Sequence, residues 1–266
     1  MAEAQGASGA PAPRTLHIDL QTRLGRITGN LPVPAGTIRL SELAWMAMPL
    51  LERMVDMSVK DDEKQGRQVS CKKGCGACCR QAVPVSPPEA WMLADLVASM
   101  PAPRRQMILE RFQQATQKLA GAGFGDRSLD TGSTNEEFMA LGLDYFRLGI
   151  PCPFLEDESC SIHPWRPSAC REYLVSSPAE NCARVGDLPV QGVPMVNRMT
   201  APLAQVAALF LDGEPQHMPL TLALEWALEH QEEGRRRFDA VELMTTLLQL
   251  MFPEAEGEAA EDSRPG

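Results

Sequence analysis

No run of about 18 apolar residues occurs in the 266-residue chain, so no membrane-spanning helix is expected. Met1 to Pro13 is mostly Ala, Gly and Pro, without the basic start or the apolar stretch of roughly 7 to 15 residues that a secretory signal needs. Positive charge is scarce as well. Against 35 Asp and Glu stand 25 Lys and Arg, a net charge of −10, which leaves no electrostatic footprint for nucleic acid. Part of that charge lies after Phe252, where Glu254, Glu256, Glu258, Glu261 and Asp262 outweigh Arg264. No P-loop, dinucleotide fingerprint, nucleophile elbow or internal repeat is present. These absences point to a cytoplasmic protein, with neither a membrane nor a nucleic acid among its partners. Its cysteines then sit in a reducing pool, and a chain of this length does not need disulfide staples.

What is present is a clustered set of 8 cysteines. Four stand together as Cys71-Lys-Lys-Gly-Cys75-Gly-Ala-Cys78-Cys79, and after a cysteine-free gap come Cys152, Cys160, Cys170 and Cys182. Bunched thiolates with glycines between them are what a soft metal ion or an iron–sulfur cluster asks of a polypeptide. Gly74 and Gly76 suit the turn that would bring Cys71, Cys75 and Cys78 together. The adjacent side chains of Cys78 and Cys79 diverge, which suggests different metals or different irons of one cluster. Two four-thiolate sites are therefore conceivable, with the pairing open and Cys182 the least determined member. Lys72, Lys73, Arg80, Arg166 and Arg171 stand near these cysteines, where cations lower thiol pKa and offset thiolate charge. A solvated basic turn is the competing explanation.

The second group is Cys152-Pro-Phe-Leu followed by Cys160-Ser-Ile-His-Pro-Trp-Arg-Pro-Ser-Ala-Cys170-Arg, stiffened by Pro151, Pro153, Pro164 and Pro167. His163 could ligate a metal or donate a hydrogen bond to a ligating sulfur. Trp165 and Tyr173 read as packing residues. His17, His217 and His230 belong to no constellation.

Around the cysteines the pattern is mainly α. Leu16, Ile18 and Leu20 alternate with polar residues, predicting a small hairpin over 15–35. From Ser41 the spacing turns helical through Leu43, Met46, Leu50, Met54 and Met57, with Pro49 either kinking the helix or marking its first turn. Asp61 to Gly66 reads as a charged loop. Ser86-Pro-Pro-Glu89 starts a helix to about Met100, and Ile108, Phe112, Ala115 and Leu119 stripe the next. Gly121 to Asn135 reads as a loop, and Glu136 to Leu148 as a helix. Further helices are expected over 201–211, 219–230 and 235–252. The organisation expected is a disordered N-terminus (1–14), a hairpin and helix (15–69), a loop-rich cysteine/metal centre (70–185), a helical region (186–252) and a disordered acidic tail (253–266). Met46, Met48, Met54 and Met57 fit an ordinary core or an adaptable docking face.

The combination Cys71-x3-Cys75-x2-Cys78-Cys79, Cys152-Pro-Phe-Leu and Cys160-Ser-Ile-His-x2-Arg-Pro-x2-Cys170-Arg resembles the cysteine-cluster family, a zinc- or iron-chelating domain of CxxxCxxCC type, over roughly residues 70 to 182. The resemblance implies eight metal-directed cysteines in one small domain: Cys71, Cys75, Cys78, Cys79, Cys152, Cys160 and Cys170 by motif, and Cys182 by order. Cys71-x3-Cys75-x2-Cys78 is also the spacing of radical S-adenosylmethionine enzymes, but Ala77 stands where that family usually has an aromatic, and the barrel's strand–helix alternation is missing. Flagellin lysine methylases carry a similar cysteine cluster. Three functions thus follow: an iron–sulfur or iron protein in redox or metal handling, a zinc-stabilised module binding a protein partner, or a cluster-dependent modifying enzyme.

Overall fold

A computed structural model describes residues 14–124 and 135–253. The expected disordered ends and most of the loop between Gly121 and Asn135 lie outside the described residues.

The N-terminal hairpin forms as its alternation predicts. Strand β1 (Arg14–Thr22) pairs antiparallel with β2 (Gly25–Val33), Ile18 opposite Gly29. Ile18, Ile27 and Val33 are buried, so one face of the hairpin is glued to the helices.

Helix α1 (Leu40–Lys64) starts well before Pro49 and continues through it, so Pro49 does not mark a first turn; it lies on the exposed face. The helix also absorbs most of the charged stretch read as a loop. Its last turn is held because Arg67 folds back, with Nε donating to the buried Oδ1 of Asp62 at 2.7 Å. Helix α2 (Pro87–Ser99) opens with the reciprocal cap that Ser86 and Glu89 predict, the Ser86 N–H donating to Glu89 Oε2 at 3.0 Å. Helix α3 (Ala102–Gly121) buries Ile108, Phe112, Ala115 and Leu119, the stripe expected of it. Then come α4 (Asn135–Arg147), the short α5 (Ser168–Glu172) and α6 (Thr200–Leu211).

The C-terminal helices are more broken than the periodicity suggests. A 3-10 turn (Leu220–Leu222) precedes α7 (Ala223–Glu229), and α8 (Gln231–Arg235) ends where a continuous helix was expected. Phe238–Asp239 instead pairs antiparallel with Thr37–Ile38. Asp239 then caps α9 (Ala240–Met251), accepting from Val241 N at 2.9 Å and Glu242 N at 3.0 Å.

One buried cluster joins the hairpin to α1, α2, α6 and α9, and Phe154 of the cysteine region inserts into it. Met48 and Met54 are core residues, while Met46 and Met57 are partly buried against the same cluster. The chain is mainly α, with a small N-terminal hairpin, and the cysteines lie between the long helices on loops, 3-10 turns, a two-residue strand and the five-residue α5. Among the described residues no helix is long and apolar enough to cross a membrane.

Candidate metal centre

The first cysteine segment is a succession of tight turns. Cys75 N donates to Lys72 O and Cys79 N to Gly76 O, both at 3.1 Å, and Ala77–Arg80 winds into one 3-10 turn. Gly74 takes φ +89°, as expected of glycine at a turn. Gly76 has a different reason to be glycine. A Cβ there would lie 2.5 Å from Glu158 Oε2 and 3.2 Å from the Glu158 Cα, so the hairpin carrying Glu158 presses directly on the turn.

That hairpin is the start of the second segment. Leu155–Glu156 pairs with Ser159–Cys160 across Asp157 and Glu158, both at positive φ (47° and 54°). Two non-glycine residues in the left-handed region are uncommon, and here they return the chain so that Cys160 comes back towards Cys152. Arg80 holds the turn down, donating to Glu158 at 2.6 and 2.9 Å and to Gly76 O at 3.0 Å. Across the two segments, Cys152 N donates to Cys79 O at 2.7 Å. At the other end Ser70 N donates to Val175 O at 2.9 Å and Ser70 Oγ to Ser177 O at 2.5 Å, which fastens the first segment beside the stretch leading to Cys182.

The helical scaffold grips the second segment firmly. Phe154 is fully buried edge-on to Phe112, ring centres 5.4 Å apart. Arg104 and Arg111 of α3 pair with Glu156, Arg111 at 2.7 Å. Glu89 caps α2 with one oxygen and uses the other, Oε1, to accept from both N and Oγ of Ser168 at 2.7 Å. It thereby caps α5, the helix bearing Cys170. Glu172 at the end of α5 accepts from Met199 N at 2.6 Å and Thr200 Oγ1 at 3.1 Å, tying α5 to the start of α6. Neither carboxylate has an evident signal in sequence beyond the Ser86-x-x-Glu89 cap.

All eight cysteines are free thiols and line one cavity of about 720 Å³. Of the expected nearby cations, only some face it. Arg171 is turned away: it is buried and bonds Glu52 (2.7 Å) and the carbonyls of Pro164 (2.5 Å) and Arg166 (3.0 Å). Arg80 is committed to Glu158. Arg166 reaches the cavity wall with its Nε buried and unpartnered, and the exposed Lys72 and Lys73 also line it. His163 borders the cavity and is exposed; burial of its ring, then Arg166 and Arg171, lower its pKa. Tyr173 is a cavity residue, its hydroxyl accepting from Gln81 Nε2 at 3.4 Å. Trp165, read as packing, is 45% exposed.

The electrostatics favour neutral thiols until a cation arrives. Burial pushes the Cys152 thiol up to about 12 and also raises Cys71, Cys160, Cys170 and Cys182. The hydrogen bond between the sulfurs of Cys78 and Cys79 lowers the first and raises the second. A crowd of thiolates would repel itself here, and a bound metal supplies the positive charge that removes the repulsion, releasing protons as it binds. Among the described residues no three Cys, His, Asp or Glu side chains already stand together as a ready ligand set. What fits a soft metal is the donor chemistry: eight free thiols around one space. Metal loading must draw the sulfurs inward.

Residues 70–187 match the family described as "Putative zinc- or iron-chelating domain", which covers every one of the eight cysteines. No curated protein and no solved structure matches the chain.

Proposed function

We propose that this is an iron–sulfur protein in which Cys71, Cys75, Cys78, Cys79, Cys152, Cys160, Cys170 and Cys182 are the metal ligands, acting in redox chemistry or metal handling in a reducing compartment such as the cytoplasm. The reading rests on the number of thiols that share one space. Eight thiols line a single cavity of about 720 Å³, twice the four that close around one structural zinc ion. Such a space accommodates several irons with bridging sulfide, and Arg166 in its wall offsets part of the charge that a thiolate-bound cluster carries. A cluster, when bound, supplies one-electron redox chemistry. The chain's own contribution is to hold the sulfurs, exclude water with Phe154 and Ile162, and set the local field.

Protein purified without air tests the proposal. It is expected to be brown, with broad visible absorption, iron and acid-labile sulfide. Colourless protein carrying stoichiometric zinc and no sulfide overturns it in favour of a zinc-closed interaction module.

A further inference from the structure

Independently of the metal reading, we infer that the outer edge of β1 pairs with the same edge of a second copy of this chain, joining two hairpins into one four-stranded antiparallel sheet in the order β2-β1-β1-β2. The turn decides which backbone groups are free to do so. Thr22 and Gly25 form the pair that closes the two-residue turn Arg23-Leu24, and an antiparallel ladder alternates from there, so Thr22, Leu20, Ile18, Leu16 and Arg14 exchange their hydrogen bonds with β2. Thr15, His17, Asp19 and Gln21 therefore turn their N–H and C=O groups away from the hairpin. All four residues are exposed, and among the described residues these backbone groups have no hydrogen-bond partner. The edge of β2 is different. Its outward positions are Arg26, Thr28, Asn30 and Pro32; Pro32 has no N–H to offer, and Arg53 of α1 donates to the Thr28 carbonyl at 2.9 Å. β2 is also the strand seated on α9, with Ile27 and Val33 fully buried. β1 has none of the devices that blunt a strand edge: from Thr15 to Gln21 there is no proline, no bulge and no charge on the inner face, where Leu16, Ile18 and Leu20 point.

The occupant follows from β1 being its own complement. Two copies related by a twofold axis at Ile18 overlap along the whole strand, and every outward residue then has a partner: Thr15 opposite Gln21 and His17 opposite Asp19, each twice, with about eight main-chain hydrogen bonds in all. On the inner face Leu16 lies opposite Leu20 and Ile18 opposite Ile18, which covers two leucines that are only half-buried in a single copy. On the outer face Asp19, already paired with Arg26, meets the other copy's His17, whose Nδ1 is bonded to Asn30 Oδ1 at 3.0 Å and whose Nε2 is left for the facing carboxylate. Moving the axis by one residue sets His17 against His17 or Asp19 against Asp19, so charge selects the same register as overlap does. A two-stranded ribbon is marginal by itself, and the pairing gives each hairpin the neighbour it lacks.

The test is sedimentation equilibrium of the full-length chain under anaerobic, reducing conditions, which keep cysteine cross-links out of the result. A single pair of strands buries less than the roughly 1,600 Å² of a standard interface, so a reversible dimer is expected, half formed at roughly 10–100 μM. His17→Pro removes an outward N–H that the hairpin itself does not use; it should leave the far-UV circular dichroism unchanged and the protein monomeric. His17→Asp places acid against acid twice per dimer and should weaken association about tenfold, whereas His17→Lys keeps opposite charges facing and should not weaken it. Should the variants fail to fold, hydrogen exchange of the wild-type chain decides: amide protection at His17 and Asp19 is expected to rise as the protein is concentrated through the dimerisation range. A wild-type chain that stays monomeric at about 500 μM, a folded His17→Pro chain that still dimerises, or protection over 15–21 that does not change with concentration overturns the proposal. Equal weakening by His17→Asp and His17→Lys overturns the register.

Discussion

The two walls of the cysteine cavity are built in opposite ways. The second segment is locked to the helices by a buried phenylalanine, two arginines on Glu156, a buried arginine reaching α1, and two buried glutamates at either end of α5. The first segment has no buried residue except Gly76. It is shaped by its own turns and held by a few contacts at its edges, chiefly Ser70 and Arg80. One wall is therefore prepared by the fold and the other is left to be completed, which is how a site can admit a metal and still bind it tightly. Metal binding energy acts as folding energy mainly where the polypeptide has not already ordered the ligands.

The contrast is most exposed to test by removing the metal. Stripping the protein anaerobically with a chelator is expected to abolish amide hydrogen-exchange protection over residues 71–81 and 175–193, while α1, α6 and α9 keep theirs. Structural metal contributes on the order of 10 kcal/mol in small domains with no other core; the buried helices here confine the loss to the unsupported wall. Uniform loss of protection, or earlier opening of 152–172, would break the comparison.

A smaller effect is expected from the prepared wall itself. Glu89 is fully buried and accepts from N and Oγ of both Ser86 and Ser168. Glu89→Ala strands these donors, and with roughly 1–3 kcal/mol for each buried group left unpaired the global stability should fall by about 3 kcal/mol in urea unfolding, with metal affinity of the Cys170 wall falling alongside. A loss below about 1 kcal/mol would mean that α5 is positioned by something other than this carboxylate.

The same contrast explains what could be read from sequence. The hairpin, the buried stripe of α3, the Ser86 and Glu89 cap and the cysteine spacing are local patterns, and the fold follows them. What escaped were long-range uses of residues with ordinary local meanings. Glu89 looks like a cap for one helix and serves two. Arg171 looks like a cation for the thiols, yet bonds Glu52 and backbone carbonyls, while Arg166, five residues earlier, faces the cavity. Asp157 and Glu158 carry no turn signature as strong as Asn-Gly, and are kept at positive φ by their surroundings, Arg80 among them. The break before α9 depends on Phe238–Asp239 finding Thr37–Ile38, some 200 residues away, which no periodicity encodes.

The finest test asks how much of the prepared wall is electrostatic. The hydrogen bond from Arg104, then that from Arg111, hold the Glu156 carboxyl below its ordinary value of 4.5, against the opposing effect of burial. A depressed carboxylate pKa means that the ion pair stabilises the fold fully above that ordinary value and ceases to do so as pH falls through the lower, folded-state value. Glu156→Gln should therefore lower stability by about 1 kcal/mol or less at neutral pH, since the three side chains are partly exposed and solvent screens them. The difference from wild type, followed by urea unfolding, should shrink to nothing in acid. If it stays constant from neutral to acid pH, the charge is irrelevant, and the packing of Phe154 on Phe112 and the bond from Arg111 to the Pro153 carbonyl join this segment to α3.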